Sequence, residues 1–284
     1  MKLVPKVLAF SFGLASASGL AAQQLQVLDA QREVSAFAYG YDYDFNDGEE
    51  DALTNLAPTG DWVEMAMVDL QDYYGVPVGT ATSYQESDIL QNRLEVSLEV
   101  TATTAGNLFQ EDSAGVGSYH VQFAVGQDVR YRIDAWADVT YGYNSASIVL
   151  DDDPNAFGSL FGLYVGQFGS DDDSQTGWLV PGTYTLEVDA EVQAFSNNNF
   201  RPLPQAGHAE ASFRIYHAGD FDLDQDVDRA DLAGFLGTYL LGSTAADYDG
   251  DGGVTPADKV GFLGAWRRGM SLPRRISNPV PAGL

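Results

Sequence analysis

The sequence predicts a mainly β protein: an antiparallel β-sandwich, jelly-roll-like, followed by a small α-helical module built on two calcium-type loops. Three observations predict it. Hydrophobic alternation of period two runs from about residue 24 to 216, with turn residues between the runs. Two acidic loops of matched spacing then follow, 27 residues apart (247 minus 220). The chain holds no cysteine, so core burial and bound metal have to supply the stability that disulfides would otherwise give.

Residues 1–22 read as a secretory signal. Lys2 and Lys6 give a positive start, residues 7–20 are apolar and rich in small side chains, and Gly19-Leu20-Ala21-Ala22 offers a cleavage site. A single-pass anchor is the alternative, but the run is short and interrupted by Ser and Gly. Export makes the mature chain secreted, extracellular or surface-bound. The 284 residues, 45% of them hydrophobic, hold one large domain and a small one: a sandwich over 23–217, a loop-helix module over 218–270 and an extended tail over 271–284. The formal charge of −27 argues against nucleic acid or an anionic membrane as partner. Acids cluster at 42–51, 151–153 and 171–173, which read as solvated loops at the ends of the sandwich.

Taken in order, strands read at 32–41, 94–103, 119–125, 129–139, 146–150, 183–195 and 209–216. In Leu94-Glu95-Val96-Ser97-Leu98-Glu99-Val100 the apolar residues take one face and the polar ones the other, as a half-buried sheet requires. Gly126-Gln127-Asp128 reads as a hairpin turn, and Val180-Pro181-Gly182 as the turn into the strand after it. Many strands and little helix make two layers the economical architecture. Asp42-Tyr43-Asp44-Phe45-Asn46-Asp47-Gly48 looks superficially like a third calcium loop, but Leu53 holds its twelfth position, so it reads as an acidic loop.

The two matched loops are Asp220-Phe221-Asp222-Leu223-Asp224-Gln225-Asp226-Val227-Asp228-Arg229-Ala230-Asp231 and Asp247-Tyr248-Asp249-Gly250-Asp251-Gly252-Gly253-Val254-Thr255-Pro256-Ala257-Asp258. Both put carboxylates at positions 1, 3, 5 and 12, the spacing that wraps oxygens round a hard cation; calcium takes six to eight of them at about 2.3–2.6 Å. The predicted donors are Asp220, Asp222, Asp224, Asp231, the carbonyl of Asp226 and Asp228 in the first loop. In the second they are Asp247, Asp249, Asp251, Asp258, the carbonyl of Gly253 and Thr255. Two calcium ions are expected. Position 6 favours a residue tolerant of positive φ, which Gly252 is and Gln225 is not, at a cost of about 1 kcal/mol. The first site is therefore expected to be the weaker, with the extra carboxylates at positions 7 and 9 working against that. Without metal, carboxylates about 4 Å apart repel by about 1–4 kcal/mol. Binding and folding should be one event, with chelation melting 220–266 while the sandwich stays folded.

Each loop runs into a helix. Thr255 and Pro256 read as N-cap and first helical residue. Leu232, Phe235, Leu236, Tyr239 and Leu240 fall on one helical face, and Phe262, Leu263 and Trp266 on the matching face of the second copy. Gly234, Gly237, Gly261 and Gly264 recur in register, which predicts a close approach of the two helices there.

Two loop-helix repeats with Asp at position 12, valine at position 8 (Val227, Val254) and no helix before the first loop resemble a type I dockerin domain more than a paired EF-hand, over about 218–269. The resemblance implies a calcium-dependent plug that attaches a secreted protein to a cohesin-like receptor in a polysaccharide-related setting. Positions 10 and 11, which often face the partner in that family, are Arg229-Ala230 and Pro256-Ala257, unlike the Ser-Thr type of pair. No Pro- or Ser-rich linker precedes Asp220.

For the sandwich, His120, His208 and His217 lack metal-ligand spacing and read as ordinary strand or loop residues. No Gly-x-Ser-x-Gly elbow is present, and carboxylate pairs for glycoside hydrolysis are defined by three-dimensional separation. Trp62, Trp136, Trp178 and the tyrosines Tyr39, Tyr41, Tyr43, Tyr141 and Tyr143 read first as core, with sugar stacking as the alternative. Three readings stay open: a non-catalytic binding or structural sandwich attached by the module, a secreted polysaccharide hydrolase anchored by it, or a repeat that acts only as an intramolecular calcium clamp.

Overall fold

Alternation does set the strands: Leu94, Leu98 and Val100 point inward and are fully buried, while Glu95, Ser97 and Glu99 point out. The computed structural model describes residues 25–42, 45–106, 108, 110–140, 144–152, 159–197, 204–249 and 251–270. The predicted signal, the tail, Tyr43, Tyr141 and Tyr143 lie outside them. The strands are β1 (Gln26–Asp42), β2 (Phe45–Asn55), β3 (Gly60–Gln71), β4 (Pro77–Leu90), β5 (Arg93–Thr104), β6 (Gln110–Val125), β7 (Val129–Val139), β8 (Ser145–Asp151), β9 (Phe161–Gly166), β10 (Gly169–Leu179), β11 (Gly182–Asn197) and β12 (Gln205–His217). After them come α1 (Arg229–Leu240), a 3-10 turn (Thr244–Ala246) and α2 (Pro256–Met270). No helix among the described residues is long and apolar enough to cross a membrane.

The strands form two six-stranded sheets, β2-β1-β6-β11-β8-β9 and β10-β7-β12-β5-β4-β3, with antiparallel pairing throughout. From β5 to β12 the chain changes sheet at every connection except β8 to β9, which gives the nested orders β10-β7-β12-β5 and β6-β11-β8-β9. That is jelly-roll connectivity, and β1–β4 widen both sheets on one side. The main core fills the space between them, with Leu94, Leu98, Phe123, Ile133, Ile148 and Phe213 fully enclosed. A second cluster, including Val34, Ala38, Trp62 and Val68, lies under β1–β4. Beside it the buried Arg32 donates to the carbonyls of Gly60 and Ala57 at 2.9 Å each and lies 5.9 Å over Trp62, so its two terminal nitrogens are held by backbone carbonyls.

Several expectations are corrected. Gly126-Gln127-Asp128 carries the chain from β6 in one sheet to β7 in the other, so it is a crossover and not a hairpin. The acidic segments at 45–51 and 171–173 are not end loops: they lie in β2 and β10, which are edge strands. Charge along an edge blocks pairing with another chain, and residues 46–50 of β2 and 170–174 of β10 are exposed without interruption, so the alternation that marks a strand is missing there. The tyrosine stripe of β1 is turned outward, with Tyr41 at 40% exposure and Ala36 and Ala38 on the core side. Of the three tryptophans assigned to core, only Trp62 is buried; Trp136 and Trp178 are half-buried.

Candidate metal centre

The repeat period survives in the fold. Asp228 caps α1, accepting from Ala230 N at 2.6 Å, while Asp231 accepts from Asp228 N at 2.6 Å. Thr255 and Asp258 repeat this for α2, at 3.1 and 2.6 Å. Loop positions 9 and 12 are thus a capping box. The other carboxylate oxygen of position 12 reaches back to the loop entrance, accepting from Phe221 N (2.5 Å) and Asp222 N (3.2 Å) in one copy and from Tyr248 N (2.7 Å) and Asp249 N (3.2 Å) in the other. Position 1 closes the turn by accepting from the position 6 amide, Gln225 to Asp220 at 2.9 Å and Gly252 to Asp247 at 2.8 Å.

These ties gather the acids. Carboxylate oxygens of Asp220, Asp222 and Asp231 lie within 4.8 Å of one another, and those of Asp247, Asp249 and Asp258 do the same, so positions 1, 3 and 12 converge in both loops. A further group joins Asp226, Asp228 and Asp231 in the first loop. The position 5 acids, Asp224 and Asp251, stand outside these groups; each accepts from the position 7 amide, at 3.0 Å from Asp226 and 2.8 Å from Gly253. Thr255 Oγ1 is 3.1 Å from Asp258. Positive φ falls at Gln225 (76°) and Gly252 (88°), as the loop pattern predicts, and also at Leu223 (63°).

The donor set is all oxygen, which suits a hard cation such as calcium. Asp220 and Asp231 are each 1% exposed, and two adjacent buried carboxylates cannot both stay charged cheaply without a cation between them. Burial, then the neighbouring Asp231, pushes Asp220 up to about 7. Burial and Asp231 also raise Asp222. Asp258 goes the other way: burial works against its charge, but the amides of Thr255, Asp249 and Tyr248 and the Thr255 hydroxyl outweigh it and hold the carboxyl low.

The helices meet through Phe235 and Phe262, stacked at 3.9 Å and 8°, with Phe221 edge-on to both. The glycines are not where the helices approach. A Cβ on Gly261 would sit 2.7 Å from the Tyr248 ring and one on Gly234 3.0 Å from Phe221, while Gly237 faces open space. The small residues seat the position 2 aromatics instead. Leu240, expected on the packed face, is 82% exposed.

Those same aromatics dock the module on the sandwich. Trp178 of β10 packs 4.5 Å from Tyr248. Arg130 of β7, 4% exposed, donates to the Phe221 carbonyl and lies 5.0 Å from the Trp178 ring and 4.7 Å from the Phe221 ring. Neither residue was legible as an anchor: Arg130 reads as one more strand position, Trp178 reads as core or as a sugar-stacking ring, and no local pattern marks a side chain at a domain junction. At the joint itself a Cβ on Gly219 would lie 2.6 Å from Trp266 Cα, so the chain leaves β12 pressed against α2 with no linker.

No protein-family profile matches the chain, and no curated protein does. Among solved structures it is similar to that of broad bean stain virus (8% identity, TM-score 0.20, covering 72% of this chain and 90% of that one). It is also similar to the enzymatically active domain of bacteriophage CBA120 tailspike protein 4 (12% identity, TM-score 0.20, 54% and 19%) and to infectious bursal disease virus Gx strain (10% identity, TM-score 0.19, 61% of that chain). At such TM-scores these likenesses carry no argument.

Proposed function

We propose that this is an exported, non-catalytic β-sandwich protein whose C-terminal repeat binds two calcium ions and serves as a dockerin-type attachment module in a polysaccharide-related setting. The observation that carries it is the matched convergence of positions 1, 3 and 12 in two loops 27 residues apart. Asp220, Asp222, Asp224, Asp226, Asp228 and Asp231 would hold one ion, and Asp247, Asp249, Asp251, Gly253, Thr255 and Asp258 the other. Bound calcium neutralises the converging carboxylates and ties each loop to the start of its helix. The residues at positions 10 and 11, Arg229, Ala230, Pro256 and Ala257, are all exposed, which supports their availability to a cohesin-like partner.

A second reading has its own support. Arg130 and Trp178 fasten the repeat to the sandwich, as a repeat that acts only as an intramolecular calcium clamp requires. Calorimetric titration should give two calcium ions per chain, and excess chelator should abolish the helical circular dichroism signal. A cohesin pull-down with and without chelator then separates attachment from clamping. One ion or none, or helices indifferent to chelator, would refute the calcium reading.

A further inference from the structure

We infer that the outer face of the second sheet is a binding groove for a neutral polysaccharide chain, which gives the polysaccharide part of the reading above a site on the sandwich. Strand register builds it. Side chains directly opposite one another across β7, β12, β5 and β4 form two rows at right angles to the strands. One row runs Trp136, Glu210, Ser97, Glu86. The other runs Asp134, Ser212, Glu95, Asp88 and ends on Asp61 of β3. Together they line a solvent-open trough of about 610 Å³. Five adjacent strands at about 4.8 Å spacing make it about 19 Å long, room for several linked sugar rings.

The chemistry selects the ligand. Arg93 bridges Asp88 and Glu95 at 3.2 and 3.3 Å, Arg214 holds Glu95 at 2.9 Å and Arg132 holds Asp134 at 2.7 Å. His208 Nε2 is 3.1 Å from Glu210. These carboxylates are fixed in place yet remain 25% to 53% exposed, with lone pairs to spare. Hydroxyl donors therefore meet acceptors that are already ordered, which lowers the entropy lost on binding. Trp136, edge-on to His208 at 4.7 Å and 78°, adds an aromatic surface for the C–H face of a sugar at one end.

Charge excludes a polyanion. Six carboxylates line the trough in a chain of net charge −27, so a polyanion is repelled, and the three arginines are already engaged by acids. An acyl-transfer role for Ser97 fails on geometry. Ser97 Oγ and Glu210 Oε1 both meet Nε2 of His208, at 3.2 and 3.1 Å, whereas a nucleophile relay needs the acid on the opposite ring nitrogen.

Affinity electrophoresis of the full chain in calcium, through gels holding a neutral β-glucan, xylan or mannan and with polygalacturonate as anionic control, tests this. We expect retardation by at least one neutral polymer, weakened at least tenfold by Trp136→Ala and several-fold by Glu86→Gln, and none by polygalacturonate. Glu86 is exposed, so its substitution keeps the test open if Trp136→Ala folds poorly. No retardation by any neutral polymer, retardation by polygalacturonate alone, or binding indifferent to both substitutions overturns the proposal. Calcium titration of the same samples separates the two readings: calcium binding without glycan binding sinks the groove alone, and the reverse sinks the module alone.

Discussion

Replacing Arg130 with methionine should loosen the C-terminal module from the sandwich while leaving both folded. Methionine keeps the bulk of the stem but loses the bond to the Phe221 carbonyl and the contacts with the Trp178 and Phe221 rings. A hydrogen bond from a charged donor contributes about 1.5–3 kcal/mol, and each cation–π contact about 0.5–2 kcal/mol. Relief of the buried guanidinium's desolvation offsets part of this, which leaves a loss of about 2–4 kcal/mol. In a module of this size 1 kcal/mol moves Tm by about 4–8 °C. Scanning calorimetry in saturating calcium, with helical circular dichroism to identify the module, should show its transition falling by at least about 10 °C while that of the sandwich moves by no more than about 2 °C. A helix transition unmoved by the substitution would refute the anchoring argument.

Gly237→Ala, which meets open space, should raise the module's stability by about 1 kcal/mol through helix propensity, whereas Gly261→Ala should lower it because the new Cβ collides with Tyr248; chemical denaturation of the pair reads the opposite signs. Gln225→Gly removes a non-glycine residue at φ 76° and should tighten the first calcium site by about fivefold, for about 1 kcal/mol of strain; titration showing an unchanged first site contradicts it. In chelator, Asp220 keeps its proton up to about pH 7 when folded but loses it near pH 4 when unfolded. The helical circular dichroism that chelator abolishes at neutral pH should accordingly return in part at acid pH and be lost again as pH rises through 7, so helicity in chelator that grows from pH 5 to pH 8 would exclude it.

What was legible in the sequence was what alternates or repeats. β5, β7, β11, β12 and the second half of β6 bury an apolar face, and their runs are readable; the first half of β6 is not, because its buried positions are Glu111, Ser113, Gly115 and Gly117. β4 is hidden because Ser83, Gln85 and Ser87 point inward, and β3 because Val63, Met65 and Met67 point outward; in both, polarity and burial disagree. The convergence of loop positions 1, 3 and 12 follows from spacing alone, because one short segment carries them. Arg130 and the two rows of the groove come from strands distant in sequence, and only register brings them together. The glycines of the helices were read as helix contacts because the period does not say which neighbour a small residue accommodates.

The linkerless joint at Gly219 makes the module a mount rather than a tether. A flexible linker lets a bound receptor and its cargo reorient freely. Here any load taken up at residues 229–230 or 256–257 passes through Phe221 and Tyr248 into β7 and β10 without slack. The groove is thereby held at one fixed angle to the helices, and β7, which carries both Arg130 and Trp136, is the beam that joins the two.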